Sequence, residues 1–377
     1  MITWTIIALA AMILAIALAG VMIPQILLIS FRKNLFDEQD ERKIHKGVVP
    51  RLGGIAFMPV VFIVMALIVG IGEWVDPVTV VNMMPRYIAP LAFAFCGILI
   101  LYVVGLADDL IGIRYRAKFV AQLLCALLIL CDGVWLDNLW GLFGITEISP
   151  AISWPLTILF TIFVVNAINL IDGIDGLASG LSACALAIYG YTFLSAGEYV
   201  YGVLSFATLG VLLPFFYYNV FGNVKRQKKI FMGDTGALTI GMMLVFLSIQ
   251  LLHCTPVESG DAPALNMAVV AFSPLIVPCF DVVRVYMLRI RLGHNPFLPD
   301  RNHIHHYLLA VGWSQRRAMI SILAFSVMLS LLNNLLSRYV DINIILVFDI
   351  VVWTLLVTVL SACRRNKAPE VAAQTKN

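Results

Sequence analysis

The residues best suited to chemistry stand in a few short segments, and most of them are acidic. Asp108 and Asp109 close an apolar run in VVGLADDLIGIRYRAKF. Adjacent carboxylates repel each other, and at a helix C-terminus they also oppose the helix dipole. A compensating cation or a functional role is therefore expected of them. Lys118, nine residues beyond Asp109, can pair with these acids or with a phosphate. Asn169, Asp172 and Asp175 stand in NAINLIDGIDGLASG, a polar step without a basic residue. Gly173 and Gly176 allow tight turns and close ligand approach there. The two acids share a face if a helix begins at that point. Helix N-capping accounts for either acid, but not for both together with Asn169. Asp234, in KKIFMGDTGALTIG, also sits where an N-cap is expected. Taken together, these are hard oxygen donors, and they suit Mg²⁺, which is usually held by one or two carboxylates plus substrate phosphates.

Basic groups form a second set. PDRNHIHHYLL places Arg301, His303, His305 and His306 within six residues. No cysteine and no HExxH pattern accompanies them, so zinc is disfavoured. An arginine among histidines fits an anion, through charge and hydrogen-bond donation. In HKGVVPRLGG, His45, Lys46 and Arg51 can meet phosphate, although positive-inside anchoring explains each of them equally well. Asp281 and Arg284, three apart inside an apolar run, read as an internal ion pair. Acids for a hard cation beside basic groups for phosphate describe phosphoryl transfer, which depends mostly on positioning and charge neutralisation.

The elements that must carry these groups are membrane helices. Of 377 residues, 61% are hydrophobic and 12% charged, against about 25% charged in soluble domains; the mean hydropathy is +0.95. A bilayer span takes roughly 20 apolar residues. Eleven segments qualify, at about 2–31, 53–72, 87–107, 117–133, 151–170, 174–195, 199–219, 235–253, 265–290, 316–336 and 342–362. The predicted fold is an all-α polytopic membrane protein of about 11 transmembrane helices. It is one domain over 1–363, with a short tail over 364–377. All lysines and arginines but Arg86 and Arg338 fall in one alternating set of connections, together with every histidine but His253. The positive-inside rule then predicts a cytoplasmic site face, a cytoplasmic C-terminus and an N-terminus outside. Lys225, Arg226, Lys228, Lys229, Arg364 and Arg365 are read as topology signals only. The first segment has no basic leader region and is read as a retained helix. Seven scattered cysteines suit packing rather than disulfides. A net charge of +3 is too mild to point to nucleic acid.

The ADD step, NAINLIDGIDGLASG, FMGDTGALTIG, NPFLPDRNHIHH and the first-loop HKGVVPRLGG, taken in this order over about residues 40–320, resemble the polyprenyl-phosphate N-acetylhexosamine-1-phosphate transferases. The branch that uses undecaprenyl phosphate and N-acetylglucosamine is the most similar. HIHH stands where phospho-MurNAc-pentapeptide translocases typically carry three consecutive histidines. The resemblance implies a bacterial cytoplasmic-membrane enzyme that converts UDP-N-acetylglucosamine and undecaprenyl phosphate to GlcNAc-pyrophosphoryl-undecaprenol and UMP, initiating a cell-surface glycan such as an O-antigen. It further implies Mg²⁺ (or Mn²⁺) on Asn169 and Asp234, with Asp108 near the lipid phosphate as base or orienting group and Asp109 supporting the same pocket. Substrate contacts fall to Lys46, Lys118, Asp172, Asp175, Arg301, His303, His305 and His306, and family analogy suggests a homodimer. The sugar is left open to another UDP-N-acetylhexosamine. A secondary transporter is the reading from a different class; it predicts midplane acids and inverted repeats, whereas these acids lie at one surface and no repeat is visible.

Overall fold

A computed structural model describes residues 2–35, 48–255, 263–295 and 302–374, with side chains to Arg364. Lys46 and Arg301 lie outside the described residues. Among the described residues fourteen α-helices follow in order: α1 (Ile2–Arg32), α2 (Phe57–Val75), α3 (Pro77–Met83), α4 (Pro85–Ile111), α5 (Tyr115–Cys131), α6 (Pro150–Ile171), α7 (Leu177–Ser195), α8 (Tyr199–Val220), α9 (Gly233–Leu252), α10 (Met267–Phe272), α11 (Ile276–Arg291), α12 (Ile304–Ala310), α13 (Gln315–Leu336) and α14 (Ile342–Gln374). No strand occurs among the described residues, only a bridge between Asn138 and Glu147.

The polytopic all-α fold read from the sequence is what is observed. Ten helices among the described residues are long and apolar enough to cross a membrane. The remaining apolar segment is α5, whose 17 residues stand at the lower limit for a span. The segment read as one helix over 265–290 is broken. A 3₁₀ turn at Ser273–Leu275 separates α10 from α11, and Pro274 within that turn cannot supply an amide to a continuous helix.

Helix α9 is the centre of the bundle. Its candidate span is buried throughout, as expected of a helix that is apolar on every side, and it packs against α4, α6, α7 and α10. Small residues set the tightest approaches, since helices in lipid gain by close van der Waals packing. On α1, Ala8, Ala11, Ala15 and Ala19 form a fully buried stripe against α8. A Cβ at Gly210 of α8 would lie 2.5 Å from the Met12 carbonyl oxygen. A Cβ at Gly105 of α4 would stand 2.6 Å from the Thr235 Cα, and one at Gly54 would overlap the Gly236 backbone. These glycines bring α4 and the entry to α2 against the N-terminus of α9.

Candidate active site

Asp234 occupies the second position of α9, with Gly233 before it at φ +70°. This positive φ turns the chain sharply into the helix at low cost because glycine has no Cβ. The N-cap expected of Asp234 is supplied instead from another helix. Asp109 Oδ1 accepts from the Asp234 amide at 2.8 Å, and Oδ2 accepts from the Thr235 amide at 2.9 Å and its hydroxyl at 2.6 Å. Asp109 thus neutralises the free amides of α9 and leaves the Asp234 carboxylate for other partners.

Those partners are Lys118 and Asn169. The Lys118 ammonium lies 2.7 Å from Asp108 Oδ2 and also donates to Asp234 Oδ2. Asn169 Nδ2 donates to Asp234 Oδ1 at 3.3 Å. Asp108 additionally accepts from the Ile113 amide at 2.6 Å, which fixes the turn between α4 and α5. The side chains of Lys118, Asp108 and Asp234 keep 23%, 17% and 26% exposure, so this bridge is reachable from solvent. It joins the ends of α4 and α6 to the starts of α5 and α9.

Asp172 and Asp175 do not share a helix face. Helix α6 ends at Ile171 with Asp172 at its C-cap, and α7 begins at Leu177, so both acids ride on a tight loop. N-capping is excluded for both, because the N-cap of α7 is Gly176, whose amide donates to Asn219 Oδ1 at 2.6 Å. Burial pushes the Asp172 carboxyl up to about 7, with Asp175 and Asp234 adding to the shift and Arg51 opposing it. Asp175 pairs with Lys229 at 2.5 Å, and Lys229 is only 7% exposed. Reading Lys229 as a topology signal is therefore corrected: burying its ammonium requires the Asp175 carboxylate. The polar loop lacks a basic residue of its own, and its cation comes from the segment before α9.

The other motifs close on the same end. Gly53 and Gly54 donate to the Phe231 and Met232 carbonyls, each at 2.9 Å, and the Phe231 amide donates to Pro50 at 2.8 Å. These bonds clamp the PRLGG segment to FMGD. His305 packs on the NLIDGIDG loop so closely that a Cβ at Gly173 would overlap its ring. His303 and His305 stack at 5.9 Å and 5°, and His306 lies 4.2 Å from His305. His305 is 1% exposed, and both ring nitrogens are buried without a hydrogen bond. Burial, with His306 and His303 beside it, lowers its pKa to about 3, which leaves His305 neutral in the absence of a bound anion. Sequence reading gave Asp281 only an ion pair with Arg284. The structure adds His303 and the Ile304 amide as partners. Tyr307 went unnoticed; its ring lies beneath the Arg284 and Arg364 guanidiniums at 4.9 and 4.8 Å. Arg364 is thus more than a topology signal.

The donor set around Asp234 fits a divalent cation of the magnesium type. Among the described residues no cluster of three His, Cys, Asp or Glu side chains forms a closed metal cage. One carboxylate and one amide, open on the solvent side, are the pattern in which Mg²⁺ keeps water and phosphate ligands. Lys118 now neutralises the oxygens for which such a cation would compete.

Acids and lysines thus cluster at one end of a polytopic helical bundle, and known proteins of similar sequence bear on what that end could do. Residues 91–252, which hold every acid of the cluster, match the model of glycosyl transferase family 4. It is 29% identical to the probable undecaprenyl-phosphate N-acetylglucosaminyl 1-phosphate transferase of Bacillus subtilis, over 83% of this chain and 80% of that one. It is 29% identical to the undecaprenyl-phosphate alpha-N-acetylglucosaminyl 1-phosphate transferase of Salmonella typhi over 78% and 74%. The Escherichia coli K12 protein of that name is 28% identical over 76% and 72%. The resemblance drawn from the motifs is borne out.

Proposed function

We propose that this protein transfers N-acetylglucosamine 1-phosphate from UDP-N-acetylglucosamine to undecaprenyl phosphate, releasing UMP, on the cytoplasmic face of a bacterial inner membrane. The observation that carries the reading is the Asp108–Lys118–Asp234 bridge at the solvent-facing end of a buried helix, in a chain whose relatives bear the names above. Initiation of an O-antigen or a related surface glycan is the role this product would serve.

The reaction attacks the β-phosphorus of the donor with an oxygen of the lipid phosphate and breaks the bond to the UMP oxygen. The nucleophile is already anionic, so the protein's task is to offset the repulsion between two phosphates and to align them. Lys118 supplies a positive charge between Asp108 and Asp234, where the incoming phosphates would gather. Asp108 holds that ammonium and orients the acceptor. Asp109 keeps Asp234 in place by capping α9. Asn169 and Asp234 would hold Mg²⁺, which supplies charge neutralisation on the diphosphate. Asp175, tied to Lys229, would approach the uridine. Asp172, His303, His305 and His306 line the substrate side of the site, with His305 as a packing group, while Lys46 and Arg301 are assigned to phosphate contacts by their motifs alone.

Chelation of divalent cations is expected to abolish UMP release by detergent-solubilised protein, and Mg²⁺ to restore it. Asp234→Ala is expected to lose about 10²–10³-fold in kcat, the scale of removing one preorganised charge-stabilising group, with no rescue by excess Mg²⁺. Full activity of that variant would refute the assignment. A panel of UDP-sugars tests the donor: N-acetylglucosamine is expected to be preferred over its C4 epimer, and equal use would reduce the reading to UDP-N-acetylhexosamines in general. Rapid-quench trapping of a sugar-phospho-enzyme formed without lipid would replace direct attack by a covalent route.

A further inference from the structure

Asp281 is the most thoroughly used buried carboxylate outside the acid cluster. It stands in α11, is fully buried, and accepts hydrogen bonds from three directions. Arg284 donates through Nη2 at 2.6 Å and Nε at 3.2 Å. His303 places Nδ1 at 2.9 Å from Oδ2. The Ile304 amide, at the first position of α12, lies 3.1 and 3.2 Å from the two oxygens. Arg284 also donates to the Asn302 carbonyl. An ion pair within one helix needs none of the last three bonds. They tie α11 to the residues on either side of His303.

We propose that Asp281 is a positioning residue for the histidine segment, fixing the His303 ring through Nδ1 and the start of α12 through Ile304. A carboxylate facing Nδ1 requires the proton there, and this sets the tautomer. Nε2 is then the His303 nitrogen available to a ligand. The stacked ring of His305 carries the same constraint to the Gly173 loop, so Asp281 also sets the distance between the histidines and the acid loop. Arg284 neutralises the carboxylate, which makes its burial tolerable.

Only the activity arm of the test rests on the transferase reading. In the first arm, ¹⁵N-histidine-labelled full-length protein in bilayers is studied by solid-state NMR, with His303→Gln used to assign the signal. His303 is expected to be protonated on Nδ1 in the wild type and to lose that preference in Asp281→Asn. An unchanged His303 signal would overturn the proposal whatever the protein catalyses. In the second arm, UMP release is measured for Asp281→Asn, His303→Gln and the double variant. Asp281→Asn is expected to lose roughly 10–100-fold in kcat/KM, the usual scale for removing the partner of an oriented imidazole. The double variant is expected to be no worse than His303→Gln alone. Multiplicative losses, or wild-type kcat/KM in Asp281→Asn, would overturn the proposal. Should Asp281→Asn fail to fold, Asp281→Glu decides: it retains the charge for Arg284, and a shifted His303 signal with reduced kcat/KM is expected, whereas wild-type values for both contradict positioning. Absence of UMP release from wild-type protein, with the tautomer change intact, would refute the transferase reading and leave the positioning role standing.

Discussion

Lys118 concentrates the chemistry of the site in one side chain, because it bridges acids from two helices. Lys118→Met keeps much of the aliphatic stem and removes the charge. It is expected to lower kcat by about 10²–10³-fold in lipid-dependent UMP release; retention of wild-type kcat would remove it from the machinery. His305 makes a second prediction at this scale. Its folded pKa of about 3 lies below the ordinary histidine value of 6.5, so the unfolded chain binds a proton that the folded one refuses. That contribution to stability is complete above 6.5 and is lost as pH falls from 6.5 toward 3. The apparent melting temperature should fall over this window, and His305→Gln should flatten the fall. The types of Asp108, Lys118, Asn169, Asp234 and the histidines were legible because ionisable groups are conspicuous in apolar sequence. Their states were not: that His305 is neutral and Asp109 a cap depends on what packs against them, and no local pattern encodes that.

Between elements, the site is assembled by close backbone approach. Gly54 meets Gly236, and Gly105 meets Thr235. Adding a methyl at Gly54 drives it into backbone, which cannot rotate away. Gly54→Ala is expected to cost at least about 1–3 kcal/mol, read as a lower melting temperature and reduced activity together. Gly20 of α1 has nothing within 4 Å of its missing Cβ, and Gly20→Ala serves as the neutral control. An equal effect at both positions would contradict close approach as the cause. Helix order and extent were readable from apolar runs, because lipid demands both length and hydrophobicity of each span. The break between α10 and α11 was not legible in the apolar run itself, where only Pro274 marks it. Nor was the pairing of Lys229 with Asp175, 54 residues apart, which exists only once α9 is docked.

Across the whole molecule, charge is divided by end. The motif segments converge where α4 and α6 finish and α5 and α9 begin. Arg86 with Glu198, Asp132 with Gln250 and Asp137 with His253 hold the opposite end. A transporter would concentrate its acids near the bilayer midplane, whereas the acid cluster here stands at helix termini and faces solvent. Asp349, paired with Asn333 inside α14 and α13, and Asp281, paired with Arg284 inside α11, stand away from the helix ends among the described residues; each carboxylate is satisfied by protein side chains rather than by a pathway. On the proposed reading, one end of this bundle moves a sugar together with its phosphate onto a lipid. Donor labelled with ³²P in the β-phosphate, incubated with protein, Mg²⁺ and undecaprenyl phosphate, follows the bond that breaks. The label is expected in the organic phase, matched by an equal amount of unlabelled UMP. Label retained in water-soluble UDP, with only the sugar reaching the lipid, would rule out transfer of the sugar phosphate.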